Sequence, residues 1–148
     1  MDYKQMTPPC GIDCFNCPIY LSNDNELLKN ELAKVLNLAP ERVVCKGCRN
    51  HKGTLPLINM AAPCKVYECT EKKGIQFCFE CSDFPCDYLN PIADNASQAP
   101  HNLKVYNLCL IKQMGLEPWA ETKAKSVRDT YFTRKFPRPI SKSKGDNV

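Results

Sequence analysis

The fold class predicted is a small α+β or irregular metal-stabilised domain, in which a cysteine-rich zinc-knuckle region packs with two or three helices. Three observations predict it. The chain has 148 residues, the length of one ordinary domain and too short for two independent cores. Eleven of those residues are cysteine, close to the level at which a small chain is read as cross-linked by disulfides or by metal. Ten of the eleven fall between Cys10 and Cys86, whereas apolar residues at helical intervals recur at about 25–37 and again after residue 101. The organisation that follows is a single metal-binding domain over 1–132, helical in its C-terminal part, and a basic flexible tail over 133–148.

Taken in order, residues 10–22, beginning "CGIDCFNCP", form a turn-rich knuckle carrying Cys10, Cys14 and Cys17. A helix runs from about Asn25 to Asn37, with Ser22, Asn23 and Asp24 offering N-caps and Pro40 beyond its end. Its apolar stripe is Leu27, Leu28, Leu32, Val35 and Leu36, which leaves Lys29, Asn30, Glu31 and Lys34 to water. From Val44 to about Asp87 the chain holds Cys45, Cys48, Cys64, Cys69, Cys78, Cys81 and Cys86 among glycines and prolines. Short strands are expected there at "VVCKG" and "IQFCFE", and a helical turn at "PCKVYECTEK".

A polar linker leads to a second helix in "HNLKVYNLCLIKQMG", with Leu103, Tyr106, Leu110 and Met114 on one stripe and Gly115 at its end. A third helix is expected in "EPWAETKAKSVRDTYF", with Pro118 near its first turn. The closing "TRKFPRPISKSKGDNV" is basic and has no core pattern.

The cross-link is read as metal. Cys14/Cys17, Cys45/Cys48 and Cys78/Cys81 are C-x-x-C pairs, a spacing that aims two sulfurs at one ion from a tight turn and suits a disulfide network poorly. The number of cysteines is odd, and the N-terminus lacks the basic start and apolar stretch of a secretory signal, so a reducing, cytoplasmic setting is expected. No apolar run approaches the roughly 20 residues of a spanning helix. In Cys45-Lys46-Gly47-Cys48, glycine permits the left-handed backbone that such turns require.

The expected ligands are Cys10, Cys14, Cys17, Cys45, Cys48, Cys64, Cys69, Cys78, Cys81 and Cys86. Two closed tetrathiolate zinc sites use eight of these ten and leave two over. A third site requires His51, a carboxylate such as Asp13 or Asp83, or a bridging sulfur. His51 is read as a loop residue and Cys109 as a small buried hydrophobe within the second helix. An iron-sulfur or thiol-redox role in anaerobic metabolism is the alternative.

Cys10, Cys14 and Cys17 have the spacing that radical enzymes use for a four-iron cluster. Those enzymes are built on α/β barrels, and a closed eight-unit barrel takes about 250 residues. The alternating strand–helix pattern and the glycine-rich cofactor segment are missing from this sequence. It also carries no nucleophile–base pair, phosphate loop or paired-carboxylate motif, so a binding or adaptor module with an unknown protein partner is favoured over an enzyme.

The formal net charge of +4 counts neutral thiols. Two tetrathiolate zinc sites would bring it to about zero, which weakens a nucleic-acid reading drawn from charge. Arg42, Lys46, Arg49, Lys52, Lys65, Lys72 and Lys73 are read as compensating the thiolates. The tail, with Arg134, Lys135, Arg138, Lys142 and Lys144 around Phe136, is the better nucleic-acid candidate.

The ordered segments "CGIDCFNCPIY", "CKGCR", "CKVYECTEKKGIQFCFECSDFPC" and "NLCLIKQMGLEPW" resemble an uncharacterised bacterial and archaeal family known as domain of unknown function 3795. The resemblance runs from about Cys10 to Trp119. It implies a small cysteine-rich protein presumed to bind zinc, frequent in anaerobes, with Cys10 to Cys86 as the metal set and Cys109 outside it. It implies no reaction.

Overall fold

The structure, a computed structural model, describes residues 1–91, 93, 96 and 98–133. Seven α-helices occur among them: α1 (Tyr3–Met6), α2 (Pro18–Leu21), α3 (Glu26–Leu36), α4 (Lys65–Lys73), α5 (Lys104–Met114), α6 (Leu116–Thr122) and α7 (Ala124–Thr133). Short 3-10 turns link them. Apart from Thr133, the expected basic tail lies outside the described residues.

The α+β expectation is corrected, because no strand occurs among the described residues. The two segments expected as strands satisfy their backbone groups locally instead of in a ladder. Near "VVCKG" the Cys45 N–H donates to the Asn23 side chain, and the chain then turns at Gly47. In "IQFCFE" the Glu80 carboxylate accepts from the Gln76 and Phe77 amides, each at 3.1 Å, and winds Cys78–Glu80 into a 3-10 turn. The metal-stabilised part of the expectation finds no support either, since side-chain packing joins the elements.

Helix α3 has nearly the expected span, but its N-cap is Asn25, because the expected caps Ser22, Asn23 and Asp24 wind a separate 3-10 turn. The Asn25 side chain accepts from the Leu28 amide at 3.0 Å, and Asn37 closes the helix in the left-handed conformation, with φ 52°. Its buried face differs from the expected stripe: Ala33 is buried, Leu28 and Leu32 are half-buried, and Leu27 and Val35 are 79% and 81% exposed. Nearby α2 and the 3-10 turn Ser22–Asp24 cover only a narrow strip of the helix.

In α5 the buried line is Lys104, Asn107, Leu108 and Ile111, not the stripe through Tyr106. The rotation leaves Tyr106 and Cys109 exposed, so Cys109 is not the core residue expected. The third expected helix is two helices, α6 and α7, broken at Lys123.

Two apolar clusters hold the chain together. One gathers Cys10, Val66, Phe77, Cys78, Leu89 and Leu108. The other gathers Phe15, Ile111, Trp119, Ala120 and Ala124, and Phe79 and Leu116 touch both. Leu108 and Trp119 are fully buried, and burying a side chain of Leu size stabilises by about 1.5–3 kcal/mol. The Trp119 ring meets Phe15 edge-on at 5.7 Å, which docks α6 on the first knuckle.

Polar clips fix the same contact. The Asn107 side-chain amide donates to the Gly11 carbonyl at 2.9 Å, and Arg128 pairs with Asp13. The C-terminal helices thus seat the loop between Cys10 and Cys14.

Candidate metal centre

The first knuckle is built by local turns. Cys14 opens a 3-10 turn, Cys14–Asn16, and the Cys17 amide closes it by donating to the Cys14 carbonyl at 2.9 Å. α2 follows at once, with Pro18 at its first position. Asn23, just after α2, reaches the second knuckle, its side-chain amide donating to the Cys45 carbonyl at 2.6 Å. Tyr20 lies against the same turn, and a Cβ on Gly47 would stand 3.6 Å from its ring.

Gly47 has φ +85°, the left-handed conformation expected for this C-x-x-C turn. The Lys46 amide donates to His51 Nε2 at 2.8 Å, so the imidazole braces the turn. Gly53 carries the chain from the second knuckle to Cys64: its amide donates to the Cys48 carbonyl, and its carbonyl accepts from the Cys64 amide, both at 2.9 Å. Cys10 and Cys64 pack in or against the first apolar cluster.

These six thiols interact electrostatically. Burial pushes Cys14 far above the usual thiol range, and negative charge at Cys10, Cys17, Cys45 or Cys48 pushes it further. Burial raises Cys48 to about 12, with Cys10, Cys64 and Cys45 adding to the rise and Arg49 opposing it. Burial likewise raises Cys45, with Cys17 adding to it. Cys14, Cys45 and Cys48 therefore stay protonated by themselves, whereas a coordinated cation inverts the balance and deprotonates its ligands.

The other four motif cysteines line a cavity of about 330 Å³ beside α4. Cys69 comes from α4, Cys78 opens the 3-10 turn Cys78–Glu80 and Cys81 follows it, and Cys86 comes from the chain after Pro85. Val66, Ile75 and Leu89 form part of an apolar wall. Burial raises Cys78 to about 12, followed in effect by Cys10, Cys86, Cys69 and Cys81. At the rim, Lys73 Nζ donates to Cys81 Sγ at 2.9 Å and to Asp83 Oδ2 at 2.8 Å, and the Asp83 amide points at Cys81 Sγ at 3.4 Å. Hydrogen bonding to Asp83 and to Cys81 lifts the Lys73 ammonium above its usual range, and Lys73 in turn holds Asp83 below the usual carboxylate range.

The ten expected ligands therefore fall into two adjoining neighbourhoods, Cys14, Cys17, Cys45, Cys48 and Cys64 in one and Cys69, Cys78, Cys81 and Cys86 in the other, with Cys10 between them, acting on Cys14 and Cys48 and on Cys78 and packed with Cys78 in the first apolar cluster. All eleven cysteines are free thiols. As they stand, no three His, Cys, Asp or Glu side chains among the described residues are placed to hold one ion. The donor set itself is what zinc or an iron-sulfur cluster takes.

Of the additional ligands the sequence offers, Asp13 is committed to Arg128 and Asn16. Asp83 is committed to Lys73. Among the basic residues read as charge compensation, Lys73 reaches a sulfur. Arg49 instead clips the backbone, donating to the Thr7 and Gln76 carbonyls with its guanidinium over the Phe77 ring. Asn23 carries no sequence signal for its bridging role, because its partners come from a segment 22 residues away.

A family model described as "Protein of unknown function (DUF3795)" matches residues 6–91, the span that contains all ten motif cysteines and stops short of Cys109. No curated protein and no solved structure matches the chain.

Proposed function

The chain belongs to the DUF3795 family, and from that premise we propose that it is a zinc-binding protein of the reducing cytoplasm, acting as a binding or adaptor module. The observation that carries the proposal is the convergence of ten free thiols from distant segments into two neighbourhoods. Burying free cysteines beside one another is costly for thiolates unless a cation balances them. Thiolate ligands from C-x-x-C turns are the usual grip for zinc.

Closed all-thiolate sites have no open position for activated water, so their role in this reading is structural and not catalytic. The partner-binding part draws support from α3, whose Leu27 and Val35 are exposed on one side of the helix. No described helix is long and apolar enough to cross a membrane. Nucleic-acid contact through the basic tail is a secondary arm of the proposal, resting on sequence alone.

A second reading, an iron-sulfur protein, is favoured by one observation: a cavity of about 330 Å³ walled by four thiols has room for more than a single ion. Elemental analysis of anaerobically isolated protein separates the two. About two zinc ions per chain in a colourless protein is the expected result. A brown protein containing iron and inorganic sulfide would replace the zinc reading, and protein free of both metals would end both.

A further inference from the structure

The spacing of the cysteines does not say which sulfurs share an ion. We infer that the cavity beside α4 is a metal site in which Cys69, Cys78, Cys81 and Cys86, the four thiols that line it, take one soft divalent cation while the neighbouring Cys10 stays outside, and Lys73 and Asp83 form its outer pair. The inference rests on the metal-binding reading above and adds the ligand assignment.

Four features support it. The first is that four thiols from three walls face one cavity, the number a closed tetrahedral site uses. Cys78 and Cys81 supply the C-x-x-C grip, and Cys69 and Cys86 approach from a helix and from a following loop. A cysteine sulfur moves by rotation about a single side-chain bond, so a change of rotamer is enough to redirect it.

The second is electrostatic. Four thiolates on a divalent ion leave a net double negative charge, and the Lys73 ammonium already stands 2.9 Å from Cys81 Sγ. The third is the arrangement that holds Lys73 there. Asp83 accepts from it at 2.8 Å while its own backbone amide points at the same sulfur. Partners of this kind orient metal ligands, and their loss commonly weakens metal binding about 10–100-fold. The fourth is that the inner part of the wall is apolar at Val66 and Leu89, both buried, while Cys86 closes the exposed side.

Lys73 is a positioning residue in this arrangement, since it touches a ligand and not the ion. Its predicted action is through the hydrogen bond to sulfur, so arginine should substitute for it and an isosteric apolar side chain should not.

The test uses the full-length protein, purified anaerobically and assayed for zinc per chain. Cys69→Ser and Cys86→Ser should each lose the same single zinc ion, so that the double variant loses no more than either alone. Cys14→Ser should lose a different ion, making Cys69→Ser and Cys14→Ser additive. A Cys69→Ser/Cys86→Ser variant that loses two ions, or a Cys69→Ser variant as zinc-rich as wild type, would overturn the assignment. Wild-type protein without zinc would instead remove the reading beneath it.

If the serine variants do not fold, the lysine series still decides. Lys73→Met should surrender one zinc to a competing chelator at about tenfold lower chelator concentration, with Lys73→Arg restoring retention. Equal retention in Lys73→Met and wild type would overturn the outer-pair role.

Discussion

Arg128 Nη1 donates to Asp13 Oδ1 at 2.7 Å, joining α7 to the loop between Cys10 and Cys14 across 115 residues of sequence. Both side chains are buried, at 10% and 1% exposure. Burial raises the Asp13 carboxyl above its usual value even against the pull of Arg128 and Asn16, so the pair is held by geometry and mutual need more than by surplus attraction. Asp13 is thereby taken out of the pool of metal ligands.

Removing one partner leaves the other buried without its counter-charge. Asp13→Ala and Arg128→Ala are each expected to destabilise the protein by about 3–5 kcal/mol. The double variant Asp13→Leu/Arg128→Met should recover much of that loss. Urea unfolding followed by circular dichroism measures all three, and a double variant as unstable as the two singles combined would contradict the account.

Trp119 is fully buried and is the one tryptophan in the sequence. Trp119→Ala should cost about 3–5 kcal/mol, because the cavity opens where α6 meets Phe15. Trp119→Phe should cost less. Denaturation by circular dichroism is the suitable measurement, since the substitution removes the fluorescent probe.

Gly53 has φ +83°, and a Cβ there would lie 2.7 Å from Tyr67 side-chain atoms, including its Cβ. Gly53→Ala should therefore destabilise by more than the roughly 1–2 kcal/mol of a left-handed non-glycine residue. Because Gly53 ties Cys48 to Cys64 through backbone hydrogen bonds, it should also reduce zinc retention in the first thiol neighbourhood. Thermal melting with and without a chelator reads both effects.

His101 gives the pH dependence. Burial, helped by the Lys104 ammonium, holds its imidazole below the ordinary value of 6.5. Below pH 6.5 the unfolded chain takes up the proton before the folded chain does. The stabilising contribution is therefore complete above 6.5 and is lost as pH falls through the folded value. The stability advantage of wild type over His101→Gln should shrink as pH drops below about 6.5, and an advantage independent of pH from 7 to about 5 would refute it.

Chelation tests the structural role of the proposed metals. If metal binds the folded chain in preference to the unfolded one, its removal must lower the melting temperature. Complete removal with unchanged circular dichroism and unchanged melting would show that the ions do not support the fold. Cys109→Ser should leave metal content unaltered, since Cys109 is exposed on α5 and does not line the cavity beside α4.

What could be read in the sequence was what short-range chemistry specifies. The approximate span of α3 was legible, although Asn25 caps it and not Ser22, Asn23 or Asp24, and the turn at Gly47 follows from a left-handed residue between two cysteines. Gly115 follows α5 at the place where the apolar pattern stops. The resemblance to the family was also visible in the order of cysteines. The expected strands were not formed, because Glu80 and Asn23 offered the backbone local hydrogen bonds and no neighbouring strand competed.

The order of residues was thus enough for the existence of α3 and α5, the turn at Gly47 and the inventory of thiols, each controlled by residues within a turn or two of one another, but not for the break between α6 and α7. Tertiary structure alone decided which face of α3 and α5 is buried, that Cys109 is exposed and Asp13 is paired, and that Cys69, Cys78, Cys81 and Cys86 share a cavity. Those outcomes depend on contacts between segments tens of residues apart. Periodicity shows that a helix has an apolar side, and only the packed neighbours determine how much of that side is covered.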